Sequence, residues 1–259
     1  MKPLTSTAPE SMRRASLTAG LGLLLMSILA GLATFGVLER LVTEGDASRT
    51  TSQILGAFGT FRLAILALSL VALLDLVVAG ALGLFFYPVH HVGAVLAACC
   101  RVIYAAIFAL AISHLLTAAR LLDDRQLDGL TDHQLHLDVL AEIQRFNDIW
   151  NLGLGLFGFH LLLIGWLAFI SGIVPRVIGV LVAIAGAGYL IDSLGGLLYP
   201  RYTFELASVT FVGEVVLMVW LLVFAAHRPA KERAASDNHR PADVSDPTTN
   251  RSSGLESRS

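Results

Sequence analysis

Long apolar runs, each about twenty residues, alternate with short polar stretches along this chain. They are Leu17–Leu38, Phe61–Tyr87, Val92–Leu116, Ile149–Ile170, Val177–Leu198 and Leu206–Ala226. A helix rises about 1.5 Å per residue, so each run matches the roughly 30 Å hydrocarbon core of a bilayer. The pattern predicts an all-α, integral membrane helical bundle with six transmembrane helices, over 17–38, 61–87, 92–116, 149–170, 177–198 and 206–226. Residues 1–16 form a polar N-terminal segment carrying Lys2, Arg13 and Arg14. Basic residues before an apolar run resemble a secretory leader. This run exceeds the roughly 7–15 residues of a leader's apolar region, so it reads as a retained first helix.

The connections add detail. The turn Pro88-Val89-His90-His91 between the second and third runs is very short and makes those helices antiparallel neighbours. Residues 117–148 are an acidic loop with Asp123, Asp124, Asp128, Asp132, Asp138, Glu142 and Asp148. Within it, Thr131 and Gln134 have capping-box spacing, and Leu135, Val139, Ile143, Phe146 and Trp150 recur at helical spacing. The fourth helix is therefore expected to start near Asp132, outside the bilayer. His133 and His136 lie beside Asp132, but a solvated acidic face accounts for them, and no metal site is expected. Residues 227–259 have almost no large apolar residues and read as a disordered polar tail.

Composition sharpens the class. Hydrophobic residues make up 55% and charged residues 15%, against roughly a quarter charged in soluble domains. The net charge of −2 offers no basic face for nucleic acid. Cys99 and Cys100 are adjacent in an apolar run and read as small buried hydrophobes. The surroundings implied are a lipid bilayer, with a homo-oligomer or a membrane partner protein as compatible partners and no cofactor. Basic residues are divided nearly evenly between the two sides. The basic flank of the first helix, which usually dominates, places both termini in the cytoplasm.

Five ionisable residues lie well inside apolar runs: Asp75, Arg101, His160, Asp192 and Glu214. A charge at mid-membrane costs a few kcal/mol even on the lenient insertion scale, so such groups should face the bundle interior and pair. Counting along the helices puts Asp75 roughly 20 Å and Arg101 roughly 22 Å from the side of the acidic loop. An Asp75–Arg101 structural ion pair follows. The same count puts His160, Asp192 and Glu214 roughly 10–15 Å below that surface. They are expected to form a second layer, a candidate polar intramembrane site with Tyr189 one turn before Asp192 and with Arg62 supplying positive charge. Helices two and five each carry an aspartate and end in Tyr-Pro, which hints at two inverted three-helix halves. Gly179, Ala183 and Ala187 recur every four residues on helix five, and Gly153, Gly155 and Gly158 crowd helix four, as close helix packing requires.

The stretch Phe157-Gly158-Phe159-His160-Leu161-Leu162-Leu163-Ile164-Gly165-Trp166 is followed by Ser171-Gly172-Ile173-Val174-Pro175-Arg176-Val177-Ile178-Gly179-Val180-Leu181. Then come Gly186-Ala187-Gly188-Tyr189-Leu190-Ile191-Asp192-Ser193, Gly213-Glu214 and Trp220-Leu221-Leu222. With Gly45-Asp46-Ala47, Phe61-Arg62 and Arg101, these resemble the bacterial membrane-protein family called domain of unknown function 4386. The resemblance covers roughly residues 13–226. It implies a multi-pass protein of the bacterial plasma membrane and no defined activity. It also implies that Arg62, Arg101, His160, Asp192 and Glu214 belong to the family pattern. Three functions fit the residues: a non-catalytic membrane component, a small ion- or proton-coupled transporter, and an intramembrane enzyme on a lipid-like substrate using His160 with an acid. The catalytic residues of such an enzyme are not defined by any motif here, since nucleophile-elbow, zinc and phosphate-loop patterns are missing from the sequence. The non-catalytic reading leads.

Overall fold

The computed structural model describes residues 8–123, 131–199, 202, 204 and 206–226. The expected disordered tail, the first seven residues and residues 124–130 of the acidic connection lie outside the described residues. Among those described, every regular element is helical. Helix α1 (Ala8–Ala33) continues through a π-helical stretch, Thr34–Leu38, into the single turn α2 (Glu39–Leu41). Then come α3 (Ala47–Gly56), α4 (Phe58–Phe86), α5 (His91–Asp123), α6 (Asp132–Ile170), α7 (Arg176–Leu198), α8 (Ala207–Thr210) and α9 (Val212–Ala226). Glu10–Leu41, α4, α5, α6 and α7 are long and apolar enough to cross a membrane, and Val212–Phe224 is a shorter apolar helix. The protein is an all-α, membrane-embedded bundle of about six spans.

These helices are apolar on every face because both surroundings are apolar. Along α4, Phe61, Leu68 and Phe85 are fully buried, whereas Leu63, Leu66 and Leu84 are 65–70% exposed toward what the bilayer would fill. The buried face looks into a ring. α1 packs on α4, α4 on α5, α5 on α6, α6 on α7, α7 on α9, and α9 returns to α1. Each helix therefore sits between its sequence neighbours, and the ring closes where the last helix meets the first. α3 lies against α6 and α4 near one end, with its own Ile54 fully buried.

Several elements run past the apolar stretches. Most of the acidic loop 117–148 is helix: α5 continues to Asp123, and α6 starts at Asp132. Thr131 caps α6, its hydroxyl accepting from Gln134 N at 3.4 Å while Gln134 Oε1 accepts from Thr131 N at 3.1 Å. Run length measures the bilayer, not the helix, because a capped helix continues into water on its own hydrogen bonds. The sixth run, 206–226, is broken at Phe211 into α8 and α9. α3 was not expected, because its polar sequence gives no long apolar stripe. Asp46 caps it by accepting from Arg49 N at 2.9 Å.

Glycines set a close crossing between α6 and α7. A Cβ on Gly158 would lie 2.6 Å from Gly186 O, and one on Gly186 would lie 2.6 Å from Gly158 O. Seven residues along both helices the contact repeats: a Cβ on Gly165 would meet Gly179 O at 2.7 Å, and one on Gly179 would meet Gly165 O at 2.7 Å. The two reciprocal pairs fix the antiparallel register of α6 and α7, as small residues do where backbones approach in membranes. The turn joining the helices is tight. Gly172 adopts φ 65°, and Ser171 Oγ accepts from Ile173 N and Val174 N at 3.2 and 3.1 Å. Gly158→Val or Gly186→Val is expected to lower stability by about 1–3 kcal/mol or more through overpacking. Gly31→Ala, where a Cβ meets nothing within 4 Å, should leave it unchanged or slightly raised. Thermal unfolding in detergent checks both.

Candidate functional site

Arg101 lies inside the ring, 2% exposed. Its guanidinium is a pure donor, always charged, so its neighbours must be acceptors or anions. Nη2 lies 2.8 Å from Asp75 Oδ1 of α4 and 3.9 Å from Met26 Sδ of α1. The Asp75 contact is Coulombic more than directional: neither carboxylate oxygen has a well-aligned donor, and Nε has no acceptor among the described residues. Nη1 lies 3.3 Å from His160 Nε2 of α6. Because Arg101 cannot accept, Nε2 must, which puts the imidazole proton on Nδ1. That nitrogen donates to Ala97 O at 2.8 Å. Both ring nitrogens of His160 are thus committed. The Phe157 ring, one turn before His160, stacks under the guanidinium at 5.2 Å.

The remaining two helices reach the same point. Glu214 of α9 is half-buried within electrostatic range of both Arg101 and Asp75, and it faces the Tyr189 hydroxyl of α7. Tyr189 meets Phe157 edge-on at 5.3 Å. On α5, Tyr104 lies one turn after Arg101 and accepts from Trp150 Nε1 at 3.2 Å. Tyr104, Phe108, Phe146 and Trp150 form an aromatic column running from this point toward the α3 end. All six ring helices therefore supply a side chain to one hub centred on Arg101.

The expected two layers are corrected by this geometry. Asp75 and Arg101 meet, but His160 and Glu214 join them rather than forming a second layer with Asp192. Depths counted from the edges of apolar runs assume that all helices enter at one plane. Counted instead from the tight turns, Arg101 is ten residues from His91, the start of α5, and His160 is ten from Ile170, the end of α6. Glu214 sits in the first turn of α9, because Tyr202 and α8 lie back against α7 before that helix begins.

Asp192 anchors that fold-back. Its Oδ1 accepts from the Tyr202 hydroxyl and its Oδ2 from Ala207 N, both at 2.7 Å. α8 has no side-chain cap of its own at Leu206, so the α7 carboxylate satisfies an otherwise orphaned N–H at its start. The hydrogen bond to Asp192, with some burial, pushes the Tyr202 phenol up to about 12. Asp75 and Asp192 thus have different partners, and the hinted inverted repeat does not extend to the aspartates.

A cleft of about 540 Å³ opens beside this clamp, lined by Asp148, Asn151, Tyr189, Asp192, Ser193 and Tyr202 among others. Tyr189 is the one hub residue among its lining residues, so it is the partition between cleft and hub. Arg62 joins neither. It is exposed on the first turns of α4, 3.8 Å from Asp123 Oδ2, because α4 and α7 are not neighbours in the ring. Among the described residues no group of three His, Cys, Asp or Glu side chains is arranged to hold a metal. Two hub residues that sequence reasoning missed had a signal: Phe157 and Tyr104 stand one turn from His160 and Arg101. Met26 and Tyr202 had none.

Removing one partner of a buried ion pair leaves the other charge uncompensated, which typically costs about 3–5 kcal/mol. Arg101→Met or Asp75→Leu alone is expected to destabilise by that order, and the double substitution by clearly less than the sum. A double-mutant cycle from reversible unfolding in detergent reads the coupling. Asp192→Ala is expected to cost about 1–2 kcal/mol through the lost clamp, without coupling to either hub substitution.

An archaeal protein from Archaeoglobus fulgidus (strain ATCC 49558 / DSM 4304 / JCM 9628 / NBRC 100126 / VC-16), described as an uncharacterized protein, is 33% identical over 159 residues, covering 61% of this chain and 82% of its own length. No solved structure matches the chain. The pattern of the family described as Domain of unknown function (DUF4386) matches residues 18–225, a stretch that holds every hub residue and the Asp192 clamp, and the chain belongs to that family.

Proposed function

We propose that this protein is a non-catalytic component of the bacterial plasma membrane, crossing it six times with both termini in the cytoplasm. The observation that carries the reading is the full engagement of His160 in the hub and of Asp192 in the clamp. His160 uses both nitrogens on Arg101 and Ala97 O, and Asp192 uses both oxygens on Tyr202 and Ala207. Groups engaged in this way hold helices together and are poorly placed for proton transfer to a substrate, which disfavours the enzyme reading. The sidedness rests on the basic flank of α1, where Arg13 and Arg14 precede the apolar run. A green fluorescent protein fused after residue 226 is expected to fluoresce, and alkaline phosphatase fused there to be inactive; the reverse pattern would invert the topology.

A second reading, a small proton- or cation-coupled transporter, is favoured by Tyr189. It lines the cleft and faces Glu214. The hub sets one guanidinium, Arg101, against two acids, Asp75 from α4 and Glu214 from α9. Tyr104, His160 and Tyr189 are the other titratable groups facing it. One further positive charge, a proton or a monovalent cation entering past Tyr189, would balance the two acids. In proteoliposomes this reading expects flux driven by a pH or cation gradient that falls at least tenfold in Glu214→Gln. Flux that survives Glu214→Gln together with Asp192→Asn sinks it. No flux from wild-type protein under any gradient leaves the non-catalytic reading.

A further inference from the structure

The groove between the first turns of α4 and the last turns of α5 is used by neither the hub nor the cleft. Its cavity of about 290 Å³ is lined by Arg62, Leu66, Ser69, Leu116, Arg120 and Asp123 among others. Arg62 lies four residues after the start of α4, and Arg120 three before the end of α5. Both arginines are exposed at the level where an apolar helix leaves the hydrocarbon. Below them the walls are leucines that face outward: Leu66 is 65% and Leu116 41% exposed. The mouth is cationic and the floor is surface that only lipid tails would cover.

We propose that this groove binds an anionic phospholipid, with Arg62 and Arg120 on the head-group phosphate and an acyl chain along Leu66 and Leu116. Three observations support that occupant. The charge is complementary, since two guanidiniums face one carboxylate among the described residues. That carboxylate, Asp123, holds Arg62 only at 3.8 Å with both side chains more than 60% exposed. Such exposed pairs contribute little, so a phosphate can replace it at small cost. Arg120 has no ion pair among the described residues. Guanidinium is also the group that best matches phosphate oxygens, through parallel N–H donors. Ser69 adds no competing donor, because its hydroxyl is spent on Ile65 O at 2.8 Å. A free anion would have no use for the apolar wall, and a zwitterionic lipid brings a cation back into a cationic mouth.

The test is native mass spectrometry of the full chain released from neutral detergent. Phosphatidylglycerol and phosphatidylcholine of identical acyl chains are supplied at equal concentration. Phosphatidylglycerol is expected to be retained with about tenfold preference, as interfacial guanidiniums confer on anionic head groups. Arg62→Gln with Arg120→Gln should erase the preference, and Arg62→Lys with Arg120→Lys should keep part of it. Both side chains are exposed, so the unfolding temperature without added lipid should match wild type. Equal retention of the two lipids, or a preference untouched by the double glutamine variant, overturns the proposal. Complete displacement of phosphatidylglycerol by millimolar inorganic phosphate also overturns it, by showing a site for a free anion. Should the glutamine variant fail to fold, the wild-type lipid preference and the phosphate competition still decide.

Discussion

Moving a guanidinium from water to the middle of a hydrocarbon layer costs several kcal/mol by any scale, and Arg cannot escape the cost by losing its proton. Arg101 is placed there all the same. The surrounding protein must supply what water supplied, and the architecture follows from that requirement. Asp75 brings the opposite charge, His160 an acceptor nitrogen, Phe157 an electron-rich face, and Glu214 a second negative field. No single helix carries such a set. A ring in which six helices converge on one point does, and each helix contributes at least one group because each has one face turned inward.

This explains what could be read from the sequence and what could not. The spans were legible because bilayer thickness imposes a run length that composition cannot disguise. The Asp75–Arg101 pairing was legible because a four-residue turn leaves α4 and α5 no choice but to lie side by side. The start of α6 was legible from a local capping pattern at Thr131. The assembly of the hub was not. It depends on vertical offsets between helices distant in sequence, and these are set by the Gly158–Gly186 and Gly165–Gly179 contacts and by the fold-back after α7. Apolar-run edges carry no record of either. Asp192 shows the difficulty well. By depth alone it resembles a partner for His160, yet its partners are a tyrosine and a backbone N–H on a segment with no periodicity to read.

The distinction between hub and clamp also divides the chemistry. The hub is enclosed by aromatic and aliphatic side chains and is built from charges that hold one another. The clamp lies at the lip of an open cleft and holds backbone. Tyr189 touches both regions, and its phenol links the cleft to the interior charges through its contacts with Glu214 and Phe157. The family match covers both regions, which makes them features of one domain and not a domain plus an appendage.

The sequential ring has a consequence for how the protein enters its membrane. Chains emerge N-terminus first, and Arg101 reaches the insertion machinery before His160 or Glu214 has been synthesised. Asp75 precedes it, on the helix joined to it by a four-residue turn. The α4–α5 hairpin can therefore leave the aqueous channel with its arginine already neutralised, and the later helices complete the coordination of a charge that is already in place. The order of residues along the gene thus doubles as an assembly schedule, with the acid delivered ahead of the base it must accompany.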